Sequence, residues 1–251
     1  MADLRRGGGR DAALERVAAL PLRYPRNQGF HYSDLGFMLL GAALEVLGGA
    51  PLDAVVAARI LRPLGLSRTG FAHPAPGLTV AASSNGDRIE RRMIESGEPY
   101  PVAVEAARFG RWRSYVLVGE VNDGNAFHAF GGVAGHAGLF APASDLLRFG
   151  DALLTSLRGE GPFERQVVRR FTAPGPEGGQ ALGFRTWPEL GAVGHLGFPG
   201  VGVAILPGRD AAVAMVTNRL HVRGAVRPTD EMFRIALRAA HRMLVGSQTW
   251  T

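Results

Sequence analysis

Two short clusters carry side chains able to move protons. Tyr32-Ser33-Asp34 sets a phenol, a hydroxyl and a carboxylate side by side, just before a long apolar stretch. Gly194-His195-Leu196-Gly197-Phe198-Pro199-Gly200 sets an imidazole among glycines. A phenol with an ordinary pKa of ~10 acts as a base near neutral pH only when a neighbouring cation favours its ionised form. Both clusters also have a plain structural use. Tyr32 can pack while Ser33 and Asp34 cap a helix, and a lone histidine in a glycine-rich stretch is more often structural than catalytic.

What the chain lacks narrows the chemistry. It has no cysteine, so thiol nucleophiles, zinc knuckles and disulfides are excluded. It has no lysine either, all 28 basic residues being arginine. That removes a P-loop lysine, a Schiff base and a Ser-x-x-Lys nucleophile from these 251 residues. No serine stands in a Gly-x-Ser-x-Gly elbow, and the glycines at 131–138 lack dinucleotide-binding spacing. The histidines form no His-x-x-x-His pair, so no metal site is expected. The net charge of +6 comes from scattered arginines without an aromatic platform, which argues against a nucleic-acid partner.

Several elements must position these clusters. The apolar register of Asp11 to Leu20 predicts a helix, and a buried one is expected over Leu35 to Leu47, capped by Ser33 or Asp34 and stopped by Gly48-Gly49. Another is expected over Pro51 to Leu61, one capped by Ser144, and a last one beginning at Pro228 to Glu231. Residues 125–144 and 159–180 read as loops. Strands are expected at 114–118 and 181–187, and as a hairpin of Val201 to Leu206 and Ala211 to Thr217. The C-terminal third thus holds three contiguous strands at most. No signal peptide is visible, which gives a cytoplasmic protein as the chain stands, and no apolar run approaches the ~20 residues that span a bilayer.

Five segments, in order, resemble the β-lactamase-like serine hydrolases, which include class C β-lactamases, DD-peptidases and related esterases. Phe30 to Gly41 looks like that family's Tyr-x-Asn element and its helix, and Arg62-Pro63-Leu64-Gly65-Leu66-Ser67-Arg68-Thr69-Gly70-Phe71 looks like the segment after it. Gly131 to Phe140 is similar to its glycine loop, and Gly194-His195-Leu196-Gly197 to its Lys-Thr-Gly or His-Thr-Gly element. The hairpin and terminal helix complete the match.

The resemblance implies an α/β (α+β) fold: an antiparallel sheet flanked by helices, with a helical lobe at about 32–158 and sheet strands plus closing helix at about 181–245. It implies acyl transfer through a serine ester on a small-molecule or peptide amide or ester, without metal or cofactor. Tyr32 and His195 would be catalytic and would face each other across the active site. Asp34, Gly197 and Phe198 would contact substrate, the Phe198 backbone N–H serving as one oxyanion donor. Two departures bear on this. Leu196 stands where the family has a threonine whose hydroxyl would contact a substrate carboxylate. The Ser-x-x-Lys nucleophile is absent, so the expectation is an N-terminally incomplete hydrolase, inactive as this chain, with the nucleophile-bearing segment as a partner in trans. A non-catalytic ligand-binding module that keeps the family cleft is the other reading.

Overall fold

The computed structural model describes residues 9–26, 28–71, 74, 77–98, 102, 104–176 and 178–246. They form two compact units: those within 9–62, 67–140 and 220–223 in the first, those within 63–66, 141–219 and 224–246 in the second.

The first unit is mainly helical. Its elements are α1 (Gly9–Ala18), α2 (Asp34–Gly48), α3 (Leu52–Val56), α4 (Arg88–Ser96) and α5 (Gly124–Phe130), with two small antiparallel ladders. These pair β1 (Gly70–Phe71) with β4 (Leu139–Phe140), and β2 (Ala82–Asn85) with β3 (Val116–Val118). The expected ends of α2 are the observed ones. The Ser33 hydroxyl accepts from the Gly36 N–H, and Gly49 closes the helix in the left-handed region at φ 63°. The expected helix after Pro51 is α3 running into a π-helical turn, Ala57–Leu61. Glu45 ties three helices together: it pairs with Arg10 of α1 and accepts from the Leu52 N–H that opens α3. α1 buries Ala13 and Val17 against Met38, Val121, Ala126, Ala129, Phe130 and Ala134.

Three expectations are corrected here. α2 is not a buried helix: only Met38 and Gly41 are buried, while Leu40, Val46 and Leu47 are 58%, 84% and 84% exposed. Within 125–144, read as loop, α5 forms because Asp123 caps it and Ala126, Ala129 and Phe130 bury its apolar side. Ser144 is not a cap, since α6 begins two residues earlier than that cap would give, at Ala143 after Pro142.

The second unit holds α6 (Ala143–Arg158), α7 (Arg165–Thr172), β5 (Arg185–Trp187), β6 (Ala192–Gly197), β7 (Val201–Leu206), β8 (Ala211–Val216) and α8 (Thr229–Gly246). α7 lies in the expected loop 159–180 and buries Val168 and Thr172. The sheet has four strands, in the order β5-β6-β7-β8, all antiparallel. The fourth is β6, whose glycine-rich sequence hides a strand that pairing on both sides creates. Alternation splits the sheet's side chains between two faces. Ala192, Ala204 and Leu206 form a core with Trp187, and with Phe233 and Leu237 of α8. On the other face Gly150 brings α6 close to Ala212 and Ile205. α6 therefore belongs with the sheet and not with the helical lobe. No single helix among the described residues is long and apolar enough to cross a membrane.

Candidate functional site

The candidate residues fall into two sets, one in each unit. In the first, Tyr32 stands just outside the α2 N-terminus with its side chain exposed, Ser33 is spent as the N-cap, and Asp34 opens the helix. The chain leading into them is steadied by Tyr24 and His31, whose rings stack 3.4 Å apart and 6° from parallel.

α2 is held by the glycine loop 131–138. A Cβ on Gly135 would lie 2.0 Å from the Phe37 carbonyl oxygen and 3.1 Å from the Gly41 Cα, so two backbones meet with no side chain between them. His136 anchors the loop from inside. Its Nε2 lies 3.1 Å from Oδ1 of Asp123, the same oxygen that accepts the Ala126 N–H at the cap of α5. Glu90 of α4 accepts from the Gly124 N–H.

Below these contacts is a buried polar network that the sequence reading does not contain. Arg113 donates to Asp87 through its backbone N–H at 2.8 Å and through Nε at 2.9 Å. It donates further to the carbonyls of Val121 and Asn122, both at 2.7 Å, and its guanidinium lies 4.2 Å from the Phe127 ring centre. Asn122 donates to Ser84, which donates to the Gly86 carbonyl. The network fixes the chain entering α5, and through α5 the glycine loop. Two buried opposite charges are tolerated because each is paired and hydrogen-bonded.

The second set lies on β6 and the turn to β7. His195 pairs with Val203 across the ladder, which sets it on the sheet face away from α8. Its neighbour Leu196 packs into the Trp187–Phe233 core, so a core side chain replaces the hydroxyl that the resemblance leads one to seek there. Gly197 ends β6, and the Phe198 ring is 46% exposed.

Two residues outside the predicted set hold this turn. The Thr217 backbone N–H and Oγ1 both donate to the Gly200 carbonyl, at 3.1 and 2.6 Å. Arg219 donates through Nε and Nη2 to the Phe198 carbonyl and through Nη1 to that of Arg227, with its guanidinium 5.1 Å from the Phe198 ring centre. Burial lowers the Arg219 guanidinium from its usual pKa. Gly200 has φ 104°, and a Cβ there would meet Thr217 Oγ1 at 2.3 Å, so the turn requires glycine. The only sequence signal for Thr217 and Arg219 is their place at the end of the expected hairpin and just beyond it. Replacing Thr217 with valine removes one of the two bonds to Gly200. We expect a loss of about 1 kcal/mol in urea unfolding, with faster amide exchange at Phe198 and Gly200. Unchanged exchange there would show that the turn needs no side-chain tie.

The chemical inventory is thus a phenol, an imidazole, a carboxylate and a fixed backbone turn. Among the described residues no group of three or more His, Asp or Glu side chains is placed to hold a metal.

The family model described as "Beta-lactamase" matches residues 2–236. An N-acetylmuramyl-L-alanine amidase of Bacillus subtilis (strain 168) is 30% identical over 227 residues, covering 84% of this chain and 49% of that protein. The chain therefore spans about half the length of this curated relative. Among solved structures, a penicillin-binding protein from Bacillus halodurans matches with TM-score 0.60 at 16% identity, covering 96% of this chain and 64% of that one. The octameric penicillin-binding protein homologue from Pyrococcus abyssi matches with TM-score 0.60 at 18% identity, covering 97% and 51%. At such identities the structural likeness establishes the fold alone, and it is the penicillin-binding-protein type of mixed helices and antiparallel sheet. With the family model extending over nearly all of its length, the chain belongs to the β-lactamase family.

Proposed function

We propose that this chain is the tyrosine- and histidine-bearing part of a serine hydrolase that cleaves an amide or ester through an acyl-serine, and that it is inert until a Ser-x-x-Lys segment from outside these residues completes it. The carrying observation is a family match over residues 2–236 in a chain that contains no lysine. The B. subtilis relative, an amidase by name, supports an amide as the bond cleaved.

In this reading the completing serine attacks the carbonyl carbon. Its proton passes by way of the Tyr32 phenol to the leaving group, and water then hydrolyses the acyl ester by the reverse proton path. The lysine of the completing segment supplies the cation that the phenol needs, with His195 adding charge when protonated. The Phe198 N–H donates to the developing oxyanion, and the ties from Arg219 and Thr217 keep its turn in place. Asp34 and Gly197 contact the substrate. Loss of the nucleophile from such a unit costs on the order of 10⁶ in rate, as in a comparable hydrolase.

The test is nitrocefin and p-nitrophenyl ester turnover, with fluorophosphonate and penicillin labelling read by mass spectrometry. It is run on the purified chain and again with a Ser-x-x-Lys-bearing segment of a family member. We expect no adduct on the chain alone. With the segment we expect a labelled serine there, and turnover that Tyr32→Phe abolishes. A covalent adduct on a serine of this chain, with turnover lost on its replacement by alanine, overturns the proposal. Reversible penicillin binding with no turnover in either state would make the chain a ligand-binding module instead.

A further inference from the structure

We propose that the Phe198 side chain selects the substrate: it is a fixed apolar shelf for an uncharged, apolar group beside the carbonyl that the Phe198 N–H binds. The inference rests on the hydrolase reading, which gives that N–H its carbonyl. Phe198 presents two groups to one ligand. Its backbone N–H donates to no acceptor among the described residues, whereas the Gly200 N–H of the same turn donates to the Gly197 carbonyl at 3.0 Å. Its ring is 46% exposed. The amide nitrogen and Cβ share one Cα and lie about 2.5 Å apart by covalent geometry. A carbonyl oxygen about 2.9 Å from that nitrogen therefore brings its substituents alongside the side chain.

An exposed phenylalanine is ordinary; one held this firmly is not. Its carbonyl accepts from Arg219 Nε at 2.9 Å and Nη2 at 2.5 Å. The same guanidinium backs the ring, 5.1 Å from its centre. Two residues on, Thr217 clamps the Gly200 carbonyl through both its N–H and its hydroxyl. Gly197 and Gly200 flank the residue without side chains, so nothing from them stands over the ring or the N–H. Much of the ordering that an apolar contact demands is thus completed by the fold before a ligand arrives.

The polar side chains of the turn are already engaged, which argues for an uncharged group. Leu196 packs into the Trp187–Phe233 core, and Pro199 adds no polar atom. The Thr217 hydroxyl donates to Gly200. All three nitrogens of Arg219 donate to the carbonyls of Phe198 and Arg227. A carboxylate brought here would give up its water to meet donors already in use, whereas an alkyl or aryl group buries apolar area against the ring.

The experiment has two arms. Turnover of p-nitrophenyl acetate, valerate and succinate is measured on the full chain mixed with a Ser-x-x-Lys-bearing segment of a family member. Binding to the full chain alone is read by amide NMR with N-methylacetamide and the isomers N-methylhexanamide and N-pentylacetamide. Relative to uncatalysed hydrolysis, kcat/KM for valerate should exceed that for acetate and for succinate at least tenfold, about what two buried methylenes give. Phe198→Ala should bring valerate and acetate within twofold of each other, and Phe198→Leu should restore most of the preference. A loosened turn would lower all three esters alike, so the ratio reports the ring. On the chain alone, the better isomer should shift the Phe198 N–H at a concentration at least fivefold below that of N-methylacetamide, and which isomer it is tells on which side of the carbonyl the ring lies. Turnover with the same valerate-to-acetate ratio in Phe198→Ala, or with a preference for succinate, overturns this inference and leaves the hydrolase reading intact. No turnover of any ester, with isomer binding at Phe198 that Phe198→Ala weakens, supports the shelf and removes the hydrolase reading. Neither turnover nor binding overturns both.

Discussion

Replacing Arg113 with methionine is expected to destabilise the first unit by about 3–5 kcal/mol, the cost of leaving one partner of a buried ion pair unpaired. The Arg113 and Asp87 side chains are 3% and 1% exposed. Methionine fills much of the arginine stem but donates nothing. Asp87 then keeps the backbone N–H of residue 113 and loses the guanidinium, and the Val121 and Asn122 carbonyls lose their donors. Replacing both partners, Asp87→Leu with Arg113→Met, should give a chain closer to the parent than Arg113→Met alone, because no buried charge is stranded. Urea unfolding followed by circular dichroism decides the matter. An Arg113→Met variant within about 1 kcal/mol of the parent, less than a typical buried hydrogen bond to a charge, would remove the pair from the stability of the unit.

The same pair gives that cost a pH dependence. Burial alone would raise the Asp87 carboxyl. The His128 imidazole 4.0 Å away and the Arg113 guanidinium outweigh burial and hold the carboxyl below its ordinary value of 3.8. At 4.0 Å the imidazole is beyond hydrogen-bond reach, so the guanidinium carries most of the effect. A carboxyl depressed in the folded state stabilises fully above its unfolded pKa of ~3.9, and the gain is lost as pH falls through the folded value. In Arg113→Met the guanidinium no longer opposes burial and the sign reverses. The folded carboxyl is then raised, and stability falls as pH rises through it. The cost of the substitution is therefore greatest at neutral pH and shrinks toward pH 4. Equal costs at pH 7 and pH 4.5 would mean that Asp87 is not the stranded charge.

What the sequence makes legible is what local chemistry decides. α2 follows from a serine cap and a glycine stop, and the β7–β8 hairpin from two apolar runs around Pro207-Gly208-Arg209-Asp210. Non-local partners decide the rest. β6 is a strand because β5 and β7 pair with it, whatever its glycines favour. α7, Arg165-Gln166-Val167-Val168-Arg169-Arg170-Phe171-Thr172, is amphipathic, but proline and glycine on both sides disguise it as loop. The site divides in the same way. Tyr32 and His195 stand inside recognisable motifs. Arg113 is 26 positions from Asp87, and Arg219 is 21 from Phe198. Nothing in the chemistry of an isolated arginine marks it as the holder of a distant carboxylate or carbonyl.

Gly135 shows how a motif residue with no chemistry of its own can govern one that has it, and Gly135→Ala is expected to cost about 2–3 kcal/mol, in the range of overpacking that the neighbours cannot absorb. The added methyl would lie 2.0 Å from the Phe37 carbonyl oxygen and 3.1 Å from the Gly41 Cα. Both are backbone atoms of α2, so no side chain can swing away, and either the loop or the helix must move. The loop is tied to α5 through His136 and Asp123, while the start of α2 is capped by the Ser33 hydroxyl. The strain should therefore appear at that end of α2, directly after Tyr32, as faster amide exchange over Asp34 to Gly41. Gly110→Ala is the control: a Cβ there meets nothing within 4 Å and its backbone is not in the left-handed region. Its stability should change by less than about 0.5 kcal/mol, as for ordinary surface substitutions. In the completed hydrolase, Gly135→Ala should lower turnover even at temperatures where the fold is intact, because the phenol is no longer held in one place. A Gly135→Ala chain that matched the parent in melting, in exchange over α2 and in turnover would show that the glycine loop does not position Tyr32.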